Sequence, residues 1–244
     1  MSTYVYGIMD GDRPDLPDTL TGVGEPPHPV RILRAGGLAA VVSDCPEQLR
    51  PKRRDLLAHQ HVLAEAGADG AVLPLRFGSL SADDDAVLAV LGEHAEHYRA
   101  QLTELDGRVE YNVKAVHREE DVLRLVVTED PEIRALTESN RASGGGSHED
   151  RLRLGELVAG AVRAREAQDG KAVEAALASA AEQQSPGPES SGWLVNQSFL
   201  LRRDEAADFM ESVEELRRDH PHLDIQVTGP LPPYSFVRAV PAHA

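Results

Sequence analysis

Between Val109 and Ala115 apolar and polar residues alternate strictly, with Val109, Tyr111, Val113 and Ala115 on one side and Glu110, Asn112 and Lys114 on the other. A period of two marks a half-buried β-strand, whose apolar side needs a second layer to cover it. The sequence that follows supplies that layer. Ser147 and Asp150 form a capping-box pattern that opens an Ala-rich helix to about Gln183, with Leu157, Val158, Ala161 and Val162 as an apolar stripe. Trp193–Leu201 reads as a central strand, Asp204 opens a helix that ends at His220-Pro221, and Leu223, Ile225 and Val227 alternate in a last strand. Strand, long helix, strand, helix, strand predicts an α+β fold, here a modified ferredoxin-like sheet with helices packed on it.

The first part of the chain reads as a separate α+β unit. Thr3–Met9 is an opening strand. Residues 10–29 contain Pro14, Pro17, Pro26, Pro27 and Pro29, which exclude a helix and predict a surface loop. Val30–Arg34 and Leu38–Ser43 flank Gly36-Gly37 as a hairpin. A helix is expected from Pro51 to about Ala66. Ala71–Phe77 is expected as a strand that lies at an edge because Pro74 lacks a ladder donor. One helix is expected from an N-cap at Ser81 to Leu105, stopped by Asp106-Gly107. The domains are therefore placed at 1–107 and 108–244, the second ending in an extended Pro-rich tail after Gly229. Ser143–Ser147, with Gly144, Gly145 and Gly146, reads as a flexible joint.

The 244 residues carry a formal net charge of −16, which opposes phosphate backbones and anionic membrane surfaces as partners. The single cysteine, Cys45, forms no intramolecular disulfide, and the N-terminus lacks the basic start and apolar run of a signal peptide. A cytoplasmic protein is expected.

No motif of catalysis or cofactor binding emerges. Gly144–Gly146 is not followed by the Lys-Ser or Lys-Thr of a phosphate loop. His59 and His61 point to different sides of a helix, and His94 with His97 offers two ligands where a zinc site needs more. Asp83-Asp84-Asp85 and Glu119-Glu120-Asp121 sit at helix starts, where the macrodipole alone accounts for them. Arg50, Lys52, Arg53 and Arg54 read as a solvated helix start, and the sequon at Asn196 falls inside an expected strand. No catalytic residue, cofactor or metal ligand is assigned.

Six segments carry a resemblance. Tyr4-Val5-Tyr6-Gly7-Ile8, Gly36–Ser43, Val72–Gly78, Glu110–Lys114, Leu194–Leu200 and Gly229–Phe236 resemble, in order, blocks of the gas vesicle protein F/L family. The resemblance implies a non-enzymatic assembly factor or minor vesicle component, associated with the gas vesicle. Its implied partners are the hydrophobic major shell protein, whose aggregation it would limit during nucleation, and other gas vesicle accessory proteins.

Two other classes compete with that expectation. A small-molecule-sensing regulatory module is compatible with a ferredoxin-like fold, since fold does not settle function. An enzyme built on Arg76 and a carboxylate such as Glu110 would need a nucleophile or base motif that the sequence lacks. Arg76 and Phe77 are the candidate partner-binding residues, because an edge strand exposes backbone groups and both residue types favour interface centres. Their competing role is structural, with Arg76 in an ion pair and Phe77 in the core.

Overall fold

The computed structural model describes residues 2–188 and 192–240. The chain forms two compact units, one of residues 2–110 with 230–240 and one of residues 111–229. The α+β reading in two units holds, with mixed helices and sheets throughout.

In the first unit, β1 (Thr3–Asp10), β2 (Arg31–Ala35), β3 (Leu38–Asp44) and β4 (Val72–Pro74) form a sheet in the order β2-β3-β1-β4, and β5 (Leu80–Ser81) also pairs with β1. The central β1 is buried from Thr3 to Met9, as its apolar run requires. Gly36 and Gly37 close the β2–β3 hairpin at φ 61° and 73°, values that suit a primed turn and that only glycine adopts freely. Because Pro74 cannot donate to the ladder, β4 lies at the sheet edge and ends there. Helices α1 (Arg53–Ala66), α2 (Asp84–Glu93) and α3 (Ala95–Leu105) pack on these strands.

Two local expectations are corrected here. The helix expected from Ser81 to Leu105 is two helices that meet at His94, whose φ of −112° and ψ of 22° leave the helical range. Its first N-cap is Asp83, which accepts from the Ala86 N–H at 2.8 Å, so one of the three clustered aspartates has a plain capping role. The Pro-rich loop also folds inward: Leu20 and Val23 are buried, and the Val23 N–H donates to the Tyr6 hydroxyl at 2.9 Å.

The second sheet, most of it in the second unit, consists of β6 (Arg108–His117), β7 (Gln183–Pro186), β8 (Val195–Arg202) and β9 (Leu223–Leu231), ordered β7-β8-β6-β9. Helices α4 (Glu119–Glu129), α5 (Pro131–Ala142) and α6 (His148–Ala178) pack together, and α6 also meets β8 and α7 (Ala206–Asp219). The Ser147–Asp150 capping box is present, and α6 runs 31 residues without a break at Gly155, Gly160 or Gly170. A mid-helix glycine costs about 1 kcal/mol relative to alanine, which the packing of so long a helix offsets. The helix stops before β7, an edge strand that the sequence reading had placed in the end of the helix and the loop after it. Gly144, Gly145 and Gly146, all at positive φ, form a turn within this unit in which the Gly145 N–H donates to the Asn140 carbonyl at 2.7 Å.

The chain enters the second unit after Glu110, close to the boundary expected near Gly107, but the tail, expected to end the second domain, returns at Pro230 to the first unit. Tyr234 packs against the buried cluster that includes Tyr4, Tyr6 and Leu63. The Ser235 N–H and hydroxyl donate to the Glu110 carboxylate at 2.8 and 2.7 Å, and the Arg238 N–H donates to the side-chain carbonyl of buried Gln101 at 2.6 Å.

Candidate functional site

Three places in the molecule concentrate chemistry or apolar surface. The first is an aromatic cluster in the N-terminal unit. His59, on α1, is buried; its Nε2 donates to the Leu75 carbonyl at 3.1 Å, which leaves Nδ1 to accept from the Tyr4 hydroxyl at 2.9 Å. Burial lowers the His59 pKa, an effect partly offset by the Leu75 carbonyl, and burial raises the pKa of Tyr4 and Tyr234. His59 and Tyr4 are held neutral with their polar atoms engaged. That is an arrangement for packing rather than proton transfer.

The candidate binding residues flank this cluster. Phe77 is half-buried, with its ring 6.0 Å from Tyr4 and 5.9 Å from His59, and so serves the core. Arg76 is exposed and forms no ion pair among the described residues. Glu110 is 3% exposed and its carboxylate is taken up by Ser235, so it has a structural partner rather than a free catalytic face.

The second place is an open groove of about 610 Å³ in the C-terminal unit, lined by Leu123 of α4 and by Leu154, Val158 and Val162 of α6, with Arg151 and Arg163 at its rim. Its origin lies in how α6 is covered. All the buried residues of this helix fall in its C-terminal part, at Asp169, Gly170, Val173 and Leu177. The N-terminal half carries Leu154, Val158 and Val162 at four-residue spacing on one face without full cover, while Leu152 is 56% and Leu123 37% exposed. Gly155 and Ala159 keep the space open. Arg151 and Arg163 form no ion pair among the described residues. The sequence reading assigned Val158 and Val162 to a core-facing stripe; the signal it missed is that apolar residues extend too far along α6 for one short sheet to cover.

The third place is a cluster around Asp169, 1% exposed on α6. Arg165, one turn earlier, donates from Nε to Oδ1 and Oδ2 at 2.9 and 3.0 Å. His117, at the end of β6, and His222, before β9, direct their Nε2 atoms at the same Oδ2 from 2.9 and 2.7 Å. His220 lies on the other side, its Nδ1 4.0 Å from Oδ1. Nδ1 of His117 and Nδ1 of His220 are buried without a hydrogen-bond partner among the described residues. Burial pushes the Asp169 pKa up, but the bonds from His117, Arg165 and His222 together hold it below the usual carboxylate range. The sequence reading compared only neighbouring histidines; these groups lie 52 and 53 residues from Asp169 and meet only through the fold.

The segments that carried the resemblance lie mainly in strands β1, β3, β4, β6 and β8 and in the packed tail. A family model described as gas vesicle synthesis protein GvpL/GvpF matches residues 2–238. The chain belongs to that family. This GvpL/GvpF family member is 60% identical over 237 residues to gas vesicle protein F of a Streptomyces species, covering 97% of this chain and 100% of that one. It is 27% identical to gas vesicle protein L1 of Halobacterium salinarum, over 96% of this chain and 89% of the relative. Its fold is that of the crystal structure of the gas vesicle protein GvpF from Anabaena, with a TM-score of 0.75 at 23% identity over 98% of this chain and 99% of that one. None of the helices described is long and apolar enough to cross a membrane.

Proposed function

We propose that this GvpL/GvpF family member is a cytoplasmic, vesicle-associated assembly factor or minor vesicle component that binds the hydrophobic shell protein and limits its aggregation during nucleation. The observation that carries the reading is the groove between α4 and α6, an apolar face on a chain of net charge −16. A face lined by Leu123, Leu154, Val158 and Val162 suits the apolar side of an amphipathic helix. Arg151 and Arg163 at its rim would meet carboxylates flanking that helix. The acidic remainder keeps the loaded complex soluble. Arg76 is a second candidate contact, being exposed and without an ion pair among the described residues.

The test is light scattering of shell protein diluted from denaturant, with and without this chain, together with co-purification of the two. The wild type should suppress scattering in near-stoichiometric amounts and co-purify with the shell protein. A Leu154→Asp/Val158→Asp variant that melts like the wild type should do neither. Equal suppression by this variant would remove the groove from the mechanism, and no suppression by the wild type would remove the aggregation-limiting role itself. Stabilisation by a small molecule, without capture of the shell protein, would favour a sensing module instead.

A further inference from the structure

The cluster around Asp169 has the donor set of a metal centre rather than of a simple ion pair. The geometry points to a site for a first-row divalent metal ion of the zinc class, held by Nε2 of His117, Nε2 of His222 and the carboxylate of Asp169. Those three ligand atoms lie within 4.8 Å of one another. Bonds of about 2.0–2.2 Å are usual for such ions with imidazole and carboxylate, so their ligand atoms stand roughly 3–4 Å apart. The separations of 2.9 and 2.7 Å from Asp169 Oδ2 to the two imidazoles need only a small expansion to reach that spacing.

Hydrogen bonding alone leaves the cluster poorly balanced. Oδ2 receives His117, His222 and Arg165 at 2.9, 2.7 and 3.0 Å, three donors on an oxygen with two lone pairs. Among the described residues Oδ1 receives a hydrogen bond only from Arg165, at 2.9 Å. A cation between the imidazoles and Oδ2 turns both Nε2 atoms from competing donors into ligands and shifts Arg165, whose Nη2 now stands 3.4 Å from His222 Nε2, onto Oδ1. An arginine so placed orients the ligating carboxylate from outside the coordination sphere. Nδ1 of His220, buried and without a hydrogen-bond partner among the described residues, lies 4.0 Å from Oδ1, outside the three-residue ligand set.

Charge and access agree with this assignment. Asp169 and Glu129 place two carboxylates on the single guanidinium of Arg165, a surplus of negative charge that a divalent cation offsets. His222 itself lines an open cavity of about 430 Å³ with Arg118, Leu125 and Thr128, so one of the three ligating residues borders solvent. Imidazole nitrogen with carboxylate oxygen, and no thiolate, suits zinc and its neighbours over the hard alkaline-earth cations.

The experiment uses the untagged full chain, stripped with a chelator and titrated with Zn²⁺ by calorimetry and with Co²⁺ by visible absorption. One equivalent should bind, Co²⁺ should develop ligand-field bands, and Zn²⁺ should raise the melting temperature. His117→Ala/His222→Ala should lose affinity by more than the roughly 10–100-fold that changes outside the coordination sphere cost. Absence of saturable binding and of Co²⁺ bands in the wild type would overturn the proposal, as would full affinity in a folded double variant. If the double variant does not fold, His222→Ala alone, checked by circular dichroism, carries the comparison; unchanged Co²⁺ bands in it exclude the site.

Discussion

Glu110 and Ser235, 125 residues apart, are joined twice: the serine N–H and hydroxyl donate to the two carboxylate oxygens at 2.8 and 2.7 Å. The carboxylate is almost fully buried, so these donors hold a charge that water no longer solvates.

Loss of that pairing should therefore register as stability. Ser235→Ala removes the hydroxyl donor from a buried carboxylate and should cost about 1–3 kcal/mol. Truncation after Leu231 removes both donors and Tyr234, and should lower the melting temperature further. Calorimetric melting of the two variants checks this; a truncated chain that melts with the wild type would show that the tail contributes nothing to the first unit.

His59 sets an acid limit. Burial lowers its folded pKa below the ordinary value of 6.5, so in the window below 6.5 the unfolded chain binds the proton and the folded chain does not. Stability therefore falls as pH drops below about 6.5, until the folded pKa is passed. The carboxyl of Asp169 acts lower, because its depressed pKa keeps its stabilising charge until the medium is more acidic than 3.8. Melting temperature followed from pH 7 to pH 5 should decline more steeply in the wild type than in His59→Gln. Parallel declines would assign the acid sensitivity to other groups.

Arg76 and Phe77 should separate cleanly. Arg76 is exposed and unpaired among the described residues, so Arg76→Ala should leave stability within about 0.5 kcal/mol of the wild type while weakening capture of the shell protein. Phe77 rests half-buried against Tyr4 and His59, so Phe77→Ala should lose stability, by less than the about 3–5 kcal/mol of a fully buried phenylalanine. Melting curves and pull-downs of both variants decide. A destabilised Arg76→Ala would return this arginine to a structural role, and undiminished capture by a stable one would exclude it as a contact.

The sequence made the strands legible because burial writes itself into local periodicity. The alternation at Val109–Ala115, the glycine pair at 36–37 and Pro74 at an edge each reflect a constraint within a few residues. The break at His94 was hidden because the apolar spacing of Val87, Leu91, Ala95 and Leu102 continues across it. The destination of the tail was hidden for a different reason: its partners, Glu110 and Gln101, are polar residues whose burial leaves no periodic trace. The Asp169 cluster draws on β6, α6 and the turn before β9, so only the assembled fold brings its members together.

Because residues 230–240 complete the unit begun by residues 2–110, the N-terminal half of this protein cannot finish folding when it leaves the ribosome. Synthesis of the intervening stretch, roughly 120 residues, takes about 6–24 s at the usual 5–20 residues per second. Throughout that interval the side of the aromatic cluster that Tyr234 covers is open, and Glu110 lacks both of its donors. The second unit has all its strands before the first has its last segment. Vectorial synthesis thus reverses the order of maturation: the half that emerges first is the last to close, and a nascent chain interrupted near its end carries one finished unit and one still waiting for its final strap.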